Sequence, residues 1–157
     1  MALGTLDLEV PETHQIVLDG TLEKGVYAKD IILSIICRYG INGLTDKAVV
    51  ISGNVIENMT NEEKMTIANM TIEMGAMIGY IAQDDEEIGK VSTVDNIDVK
   101  DIKPVVSCPH SPDNVVEIKK LPEIKIDQVV IGSCTNGRKS DFEIVEMYWM
   151  EEKFQIM

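Results

Sequence analysis

The chain has 157 residues and a formal net charge of −13, with 45% hydrophobic residues and a pI near 4.4. A surface this acidic repels phosphate backbones and excludes a nucleic-acid binder, while the apolar content is too high for a disordered acidic tail. No apolar run approaches the ~20 residues of a membrane helix, and Met1-Ala2-Leu3-Gly4 lacks the basic start and apolar core of a secretory signal.

Three cysteines with no close pairing point to a reducing cytoplasm and away from a disulfide framework. With nine methionines and only 4% aromatics, the core is expected to be aliphatic.

From the N-terminus, Leu6, Leu8 and Val10 alternate with Asp7 and Glu9, which predicts a half-exposed strand over 3–10, stopped by Pro11. Gln15 to Leu18 reads as a second strand, with His14 as a solvated histidine at its edge and Asp19-Gly20 as a turn. Tyr27 to Tyr39 is predicted as a helix. Ile31, Ile32, Ile35 and Ile36 mark its apolar face, Cys37 packs in the core beside it, and Gly40 ends it. Lys47 to Ser52 is a buried strand. Strand, helix and strand at this spacing imply a right-handed crossover and a parallel sheet.

Thr60 and Glu63 form a capping box, opening a helix that runs to about Met74 with Met65, Ala68, Met70 and Ile72 on its apolar side. Asn69 and Glu73, four apart, share a face of that helix. Ile78 to Ala82 is the next strand, followed by an acidic, solvated loop over Gln83 to Glu87. Val91 to Pro104 reads as a linker. Cys108 to Asn114 is a tight, proline-framed turn with no second ligand pair at zinc spacing.

Gln128-Val129-Val130-Ile131 is a β-branched run that reads as a short buried strand, broken by Gly132. Cys134 then sits on the turn leaving the strand's C-terminal end, where open α/β sheets gather their chemistry. Asp141 to Met150 reads as a helix with Phe142, Val145 and Trp149 on one face. Gly132 to Gly137 lacks the glycine spacing and the lysine of a phosphate-binding loop.

The octapeptide Ile131-Gly-Ser-Cys-Thr-Asn-Gly-Arg138 resembles a signature of the aconitase and isopropylmalate dehydratase family. So do the segments Lys64 to Ala76 and Pro109-His-Ser-Pro-Asp-Asn114. The resemblance covers nearly the whole chain and lies closest to the large-subunit branch of the isopropylmalate dehydratases and homoaconitases. Ala68 stands where relatives often carry cysteine, and Thr71 where a small residue is usual.

The resemblance implies a three-layer α/β/α fold with a mostly parallel sheet. It divides the chain into a domain over 1–103 and the incomplete start of a cluster-bearing domain over 104–157. It also implies reversible dehydration of a small hydroxy polycarboxylate at a four-iron, four-sulfur (4Fe-4S) cluster, within leucine biosynthesis. Cys134 would be one of three thiolate ligands to that cluster. Asn69 and Glu73 would meet water and substrate hydroxyl at the open iron. Thr135 and Asn136 would steady the cluster or a substrate carboxylate, and Arg138 would pair with such a carboxylate or stand at the surface. Other implied partners are the family's small subunit and further large-subunit segments, and a homo-oligomer is a further possible assembly.

In the family the other two thiolates come from a Cys-Gly-Pro-Cys-type pair, which these residues do not contain; Cys37 and Cys108 do not replace it. The polypeptide alone is therefore expected neither to hold a full cluster nor to catalyse. An alternative reading of the same sequence is a cluster-free, non-enzymatic binding or assembly domain in which Cys134 is a plain thiol.

Overall fold

The computed structural model describes Gly4 and residues 8–82, 88–133 and 135–151. Four strands, β1 (Glu12–Asp19), β2 (Lys47–Ser52), β3 (Ile78–Ile81) and β4 (Thr93–Asp98), form one sheet in the order β3-β2-β1-β4, and every pairing is parallel. Helix α1 (Ala28–Tyr39) connects β1 to β2. The one-turn helix α2 (Asn54–Glu57) and α3 (Asn61–Met70) connect β2 to β3. The expected α/β architecture, a mostly parallel sheet with flanking helices, is what forms.

Register sets the core. Ile16 of β1 stands beside Ile51 of β2, with Leu18 and Val49 on the same face by the two-residue period. These side chains pack with Ile31, Ile32, Ile35 and Ile36 of α1 and Ile67 and Met70 of α3. Consecutive right-handed crossovers moving one way across the sheet place α1 and α3 on one face.

The Thr60–Glu63 capping box forms as expected: Thr60 Oγ1 accepts from Glu63 N at 3.3 Å, and Glu63 Oε2 accepts from Thr60 N at 2.8 Å. Past Met70 the chain tightens into a 3₁₀ turn over Thr71–Met74 and ends at Gly75. Two glycines permit close backbone approach. A Cβ at Gly53 would sit 2.4 Å from Leu18 O, and one at Gly79 would sit 2.0 Å from Thr71 Oγ1.

A hairpin of β5 (Val105–Ser107) and β6 (Val115–Glu117) lies against α1. Its tip is the Cys108–Asn114 turn, closed by Cys108 N donating to Asn114 O at 2.7 Å and Asn114 Nδ2 donating to Pro109 O at 3.0 Å. The buried Asp30 fastens the hairpin. One carboxylate oxygen accepts Tyr27 N at the start of α1 and the other accepts Val105 N, each at 2.8 Å. Helix α4 (Lys139–Glu151) follows the cysteine turn.

Several sequence expectations are corrected. Residues 8–10 form no strand, and Leu8 and Val10 are exposed. Both flanks of β1 are already taken, by β2 and β4. His14 is buried at 6% exposure rather than solvated. It faces the core side of the sheet, between Thr93 and the Tyr39 hydroxyl. Cys37 is exposed, because it follows the buried pair Ile35–Ile36 and the next 100° of helix turns it outward.

On α3 the buried side is Thr66, Ile67 and Met70, continued by Thr71 and Met74, while Met65 and Ile72 face out. The stripe already stands one position later than expected at Thr66, within the α-helical part, and the 3₁₀ turn carries it on through Thr71 and Met74. The proposed linker contains β4, which pairs with β1 in register from His14↔Thr93 to Asp19↔Asp98. Gln128–Ile131 is not a strand. Val129, Val130 and Ile131 are exposed, with Val130 at 78%, because among the described residues no strand pairs with them. The acidic loop Gln83–Glu87 and Cys134 itself lie outside the described residues.

Candidate functional site at the cysteine turn

The turn that follows Gly132 folds back on itself and docks on the first turn of α1 and the middle of α3. Asn136 N donates to Ser133 O at 3.2 Å. Asp141, in the first turn of α4, receives Arg138 N at 2.9 Å and Asn136 Nδ2 at 3.0 Å, so the turn is capped onto the helix it leads into. This leaves Asn136 Oδ1 buried without a hydrogen-bond partner.

Thr135 makes the outward contacts. Lys29 Nζ, on α1, donates to its hydroxyl at 2.9 Å. Thr66 Oγ1, on α3, donates to its carbonyl at 3.1 Å, and Arg138 Nη1 donates to the same carbonyl at 3.0 Å. The guanidinium also reaches Thr66 Oγ1 at 2.6 Å. Ser140 of α4 bonds the Glu62 carboxylate of α3. Thr135 adopts a φ of 66°, a conformation that a β-branched residue takes only when its surroundings hold it there.

Beside these contacts lies a cleft of about 360 Å³ whose lining includes Lys29, Glu62, Thr66, Arg138 and Ser140. Tyr27, at its α1 edge, shares a 3.5 Å hydroxyl contact with Tyr148 of α4. That hydrogen bond, helped by partial burial, pushes the Tyr27 phenol up to about 12.

The structure therefore brings together Thr135, Asn136 and Arg138 of the residues singled out from sequence. Asn69 and Glu73 are exposed, one and two turns beyond Thr66 along the same helical run. Lys29, Glu62, Thr66 and Ser140 were not legible as site residues. Each is an ordinary helix residue in the sequence, and only the docking of a segment about seventy positions or more away gives it a role. Among the described residues no group of three or more His, Cys, Asp or Glu could hold a metal ion. Cys37 on α1 and Cys108 in the hairpin tip belong to other regions of the fold.

Comparison with known proteins gives a consistent picture. The Aconitase family (aconitate hydratase) profile matches residues 1–90. The chain is 42% identical to 3-isopropylmalate dehydratase large subunit 2 of Archaeoglobus fulgidus, over 92% of this chain and 39% of that protein. It is 41% identical to 3-isopropylmalate dehydratase large subunit 1 of Thermotoga maritima, over 90% of this chain and 39% of that protein. It is 38% identical to 3-isopropylmalate dehydratase large subunit 1 of Methanopyrus kandleri, over 91% of this chain and again 39% of that protein. The chain thus spans about two fifths of the length of the curated relatives it matches.

Proposed function

We propose, because this chain belongs to the aconitase family, that it works as part of the large subunit of a 3-isopropylmalate dehydratase-like hydro-lyase. The reaction would be the reversible loss and re-addition of water on a small hydroxy polycarboxylate, as in leucine biosynthesis. The observation that carries the reading is the docking of the Ser133–Arg138 turn on α3. Thr135 O accepts from Thr66, and Asn69 follows Thr66 by one helical turn. Glu73 follows a further turn on, so the cysteine turn docks on the same helical run that carries the polar pair.

A 4Fe-4S cluster does not fit on these residues alone. It needs three converging thiolates, and Cys37 and Cys108 stand on other elements. The proposal is that this chain contributes one of them, Cys134, to a centre completed by segments outside this sequence, together with the family's small subunit. When bound, an iron without a protein thiolate would supply Lewis acidity.

This chain's own residues would do the rest. Asn69 would donate a hydrogen bond to substrate hydroxyl. Glu73 would orient or exchange a proton with water. Thr135, Asn136 and Arg138 would hold the cysteine turn in shape. Asn136 already spends its amide donor on Asp141, and Arg138 spends a guanidinium nitrogen on Thr66 and Thr135. In the proposed role Arg138 shapes the turn through Nη1 and has its other guanidinium nitrogens to pair with a substrate carboxylate. The protein would act in the cytoplasm; among the described residues no helix is long and apolar enough to cross a membrane.

The test is complementation. The chain is mixed anaerobically with iron, sulfide, the small subunit and a polypeptide covering the part of the Archaeoglobus relative that this chain does not match. Dehydratase turnover and thiolate-to-iron absorbance are expected with wild type and lost with Cys134→Ser. Equal iron content and equal turnover from Cys134→Ser would sink the proposal, and so would the absence of both from wild type, which would favour a cluster-free binding domain.

A further inference from the structure

Two cations and a hydroxyl from different elements converge on Thr135. Lys29 comes from the first turn of α1, Thr66 from the middle of α3, and Arg138 from the turn itself. The Thr66 hydroxyl is central. It accepts from Arg138 Nη1 and shares its own hydrogen between Thr135 O and Glu62 O, each at 3.1 Å. Thr66 is buried, so these bonds form where water does not compete for them. Lys29 is half-buried and places an ammonium 2.9 Å from the Thr135 hydroxyl in a chain that is otherwise strongly acidic. Hydrogen bonds to charged donors are the stronger kind.

We infer that Lys29 and Thr66 are positioning residues for the cysteine turn. They hold Thr135 in its left-handed conformation at φ 66°, and with it the backbone that leaves Cys134. A β-branched residue released from such contacts returns to the extended or right-handed region, which would re-aim its neighbour. Lys29 is thus a residue of the α/β domain acting at a distance in sequence on the turn, through Thr135 and not through substrate. That the turn carries a cluster thiolate rests on the proposed function; the clamp itself does not, and can be measured without iron.

The experiment is amide hydrogen exchange by mass spectrometry on the full chain, in wild type, Lys29→Met, Lys29→Arg and Thr66→Val. Lys29→Met keeps the aliphatic stem and loses the donor. The amides of residues 133–138 are expected to exchange about tenfold faster in Lys29→Met and in Thr66→Val. Amides of β1 and β2 should be unchanged, and Lys29→Arg should restore most of the protection. Unchanged exchange of the turn in Lys29→Met would overturn the inference, as would loss of protection spread evenly over β1, β2 and the turn. If Thr66→Val alone unfolds the chain, Thr135→Ala tests the Lys29 bond from its other end and should match Lys29→Met. The iron-uptake assay stands apart from this one. Wild type that takes up no iron in the complementation mixture while Lys29→Met still frees the turn would defeat the proposed function and leave the clamp standing.

Discussion

The rings of His14 and Tyr39 meet edge to face, with centroids 5.4 Å apart and planes 84° from parallel, and the Tyr39 hydroxyl lies 3.1 Å from His14 Nε2. The same hydroxyl donates to Asp95, which leaves it only its acceptor side for the imidazole. His14 Nε2 must therefore carry the proton, and Nδ1 accepts from Thr93. The result is a satisfied polar chain joining α1, β1 and the edge strand β4.

This arrangement makes stability depend on pH. Burial holds the His14 imidazolium below its ordinary value of 6.5, against the opposing pull of Asp95. The unfolded chain therefore binds this proton more readily than the folded one. The contribution is fully present above about pH 6.5 and is lost as pH falls from there through the lower folded value. The urea midpoint should drop between pH 7.5 and pH 5.5, and His14→Gln should flatten that segment of the profile.

Removing the hydroxyl at the centre of the chain is expected to destabilise. Tyr39→Phe keeps the ring contact but deprives both His14 and Asp95 of a partner, at a cost of about 1–3 kcal/mol. Burial, together with the Asp95 hydrogen bond, raises the Tyr39 phenol, so the most alkaline step of the tyrosine absorbance titration should lose one phenol in the variant. A Tyr39→Phe chain as stable as wild type would show that His14 and Asp95, already 3.5 Å apart, close the gap themselves.

Gly79 lies under the end of α3, where an added methyl would meet Thr71 Oγ1 at 2.0 Å and Ala68 O at 2.4 Å. Gly79→Ala should cost about 1–3 kcal/mol by overpacking, read as a lower urea midpoint with unchanged slope. The double variant Gly79→Ala with Thr71→Ala, which removes the hydroxyl, should give little back, because the Ala68 carbonyl remains in the way.

The apolar run before the cysteine turn offers the opposite case. Val130 is 78% exposed, so Val130→Ser should change the stability of this chain by no more than about 0.5 kcal/mol. Ile51→Ala, in the core, should cost about 2–5 kcal/mol. Thermal and urea unfolding of the two variants decide this. A large loss at Val130 would mean that the run pairs as a strand after all.

The docking of α4 on α1 can be read through the tyrosine pair. With Tyr148→Phe the main cause of the high Tyr27 value is gone, and one phenol should move from about 12 back toward the ordinary range in an absorbance titration. An unchanged titration would place α4 elsewhere in solution.

Much of the fold was legible because it is written in local chemistry. The Ile31–Ile36 stripe, the β-branched run of β2 and the Thr60–Glu63 box each declare their element from a few neighbouring residues. Failures came where partners decide. Gln128–Ile131 has strand chemistry but no strand beside it, and the polar β4 looks like a linker until β1 pairs with it. His14 looked solvated because nothing near it in sequence hints at Tyr39 or Asp95. At the site, the turn motif was visible in the sequence, whereas Lys29 and Thr66 were not, since their partner Thr135 is 106 and 69 positions away respectively.

The shared carboxylate of Asp30 has a consequence during synthesis. One of its oxygens closes on Tyr27, three residues earlier, so the first turn of α1 is capped as soon as it has left the ribosome. The other oxygen belongs to Val105, 75 positions later. While those residues are being made, α1 presents an unfilled acceptor beside an aliphatic stripe. The hairpin satisfies that acceptor as it packs against α1, so α1 keeps an open carboxylate oxygen until Val105 has been made, long after its aliphatic stripe has met β1 and β2.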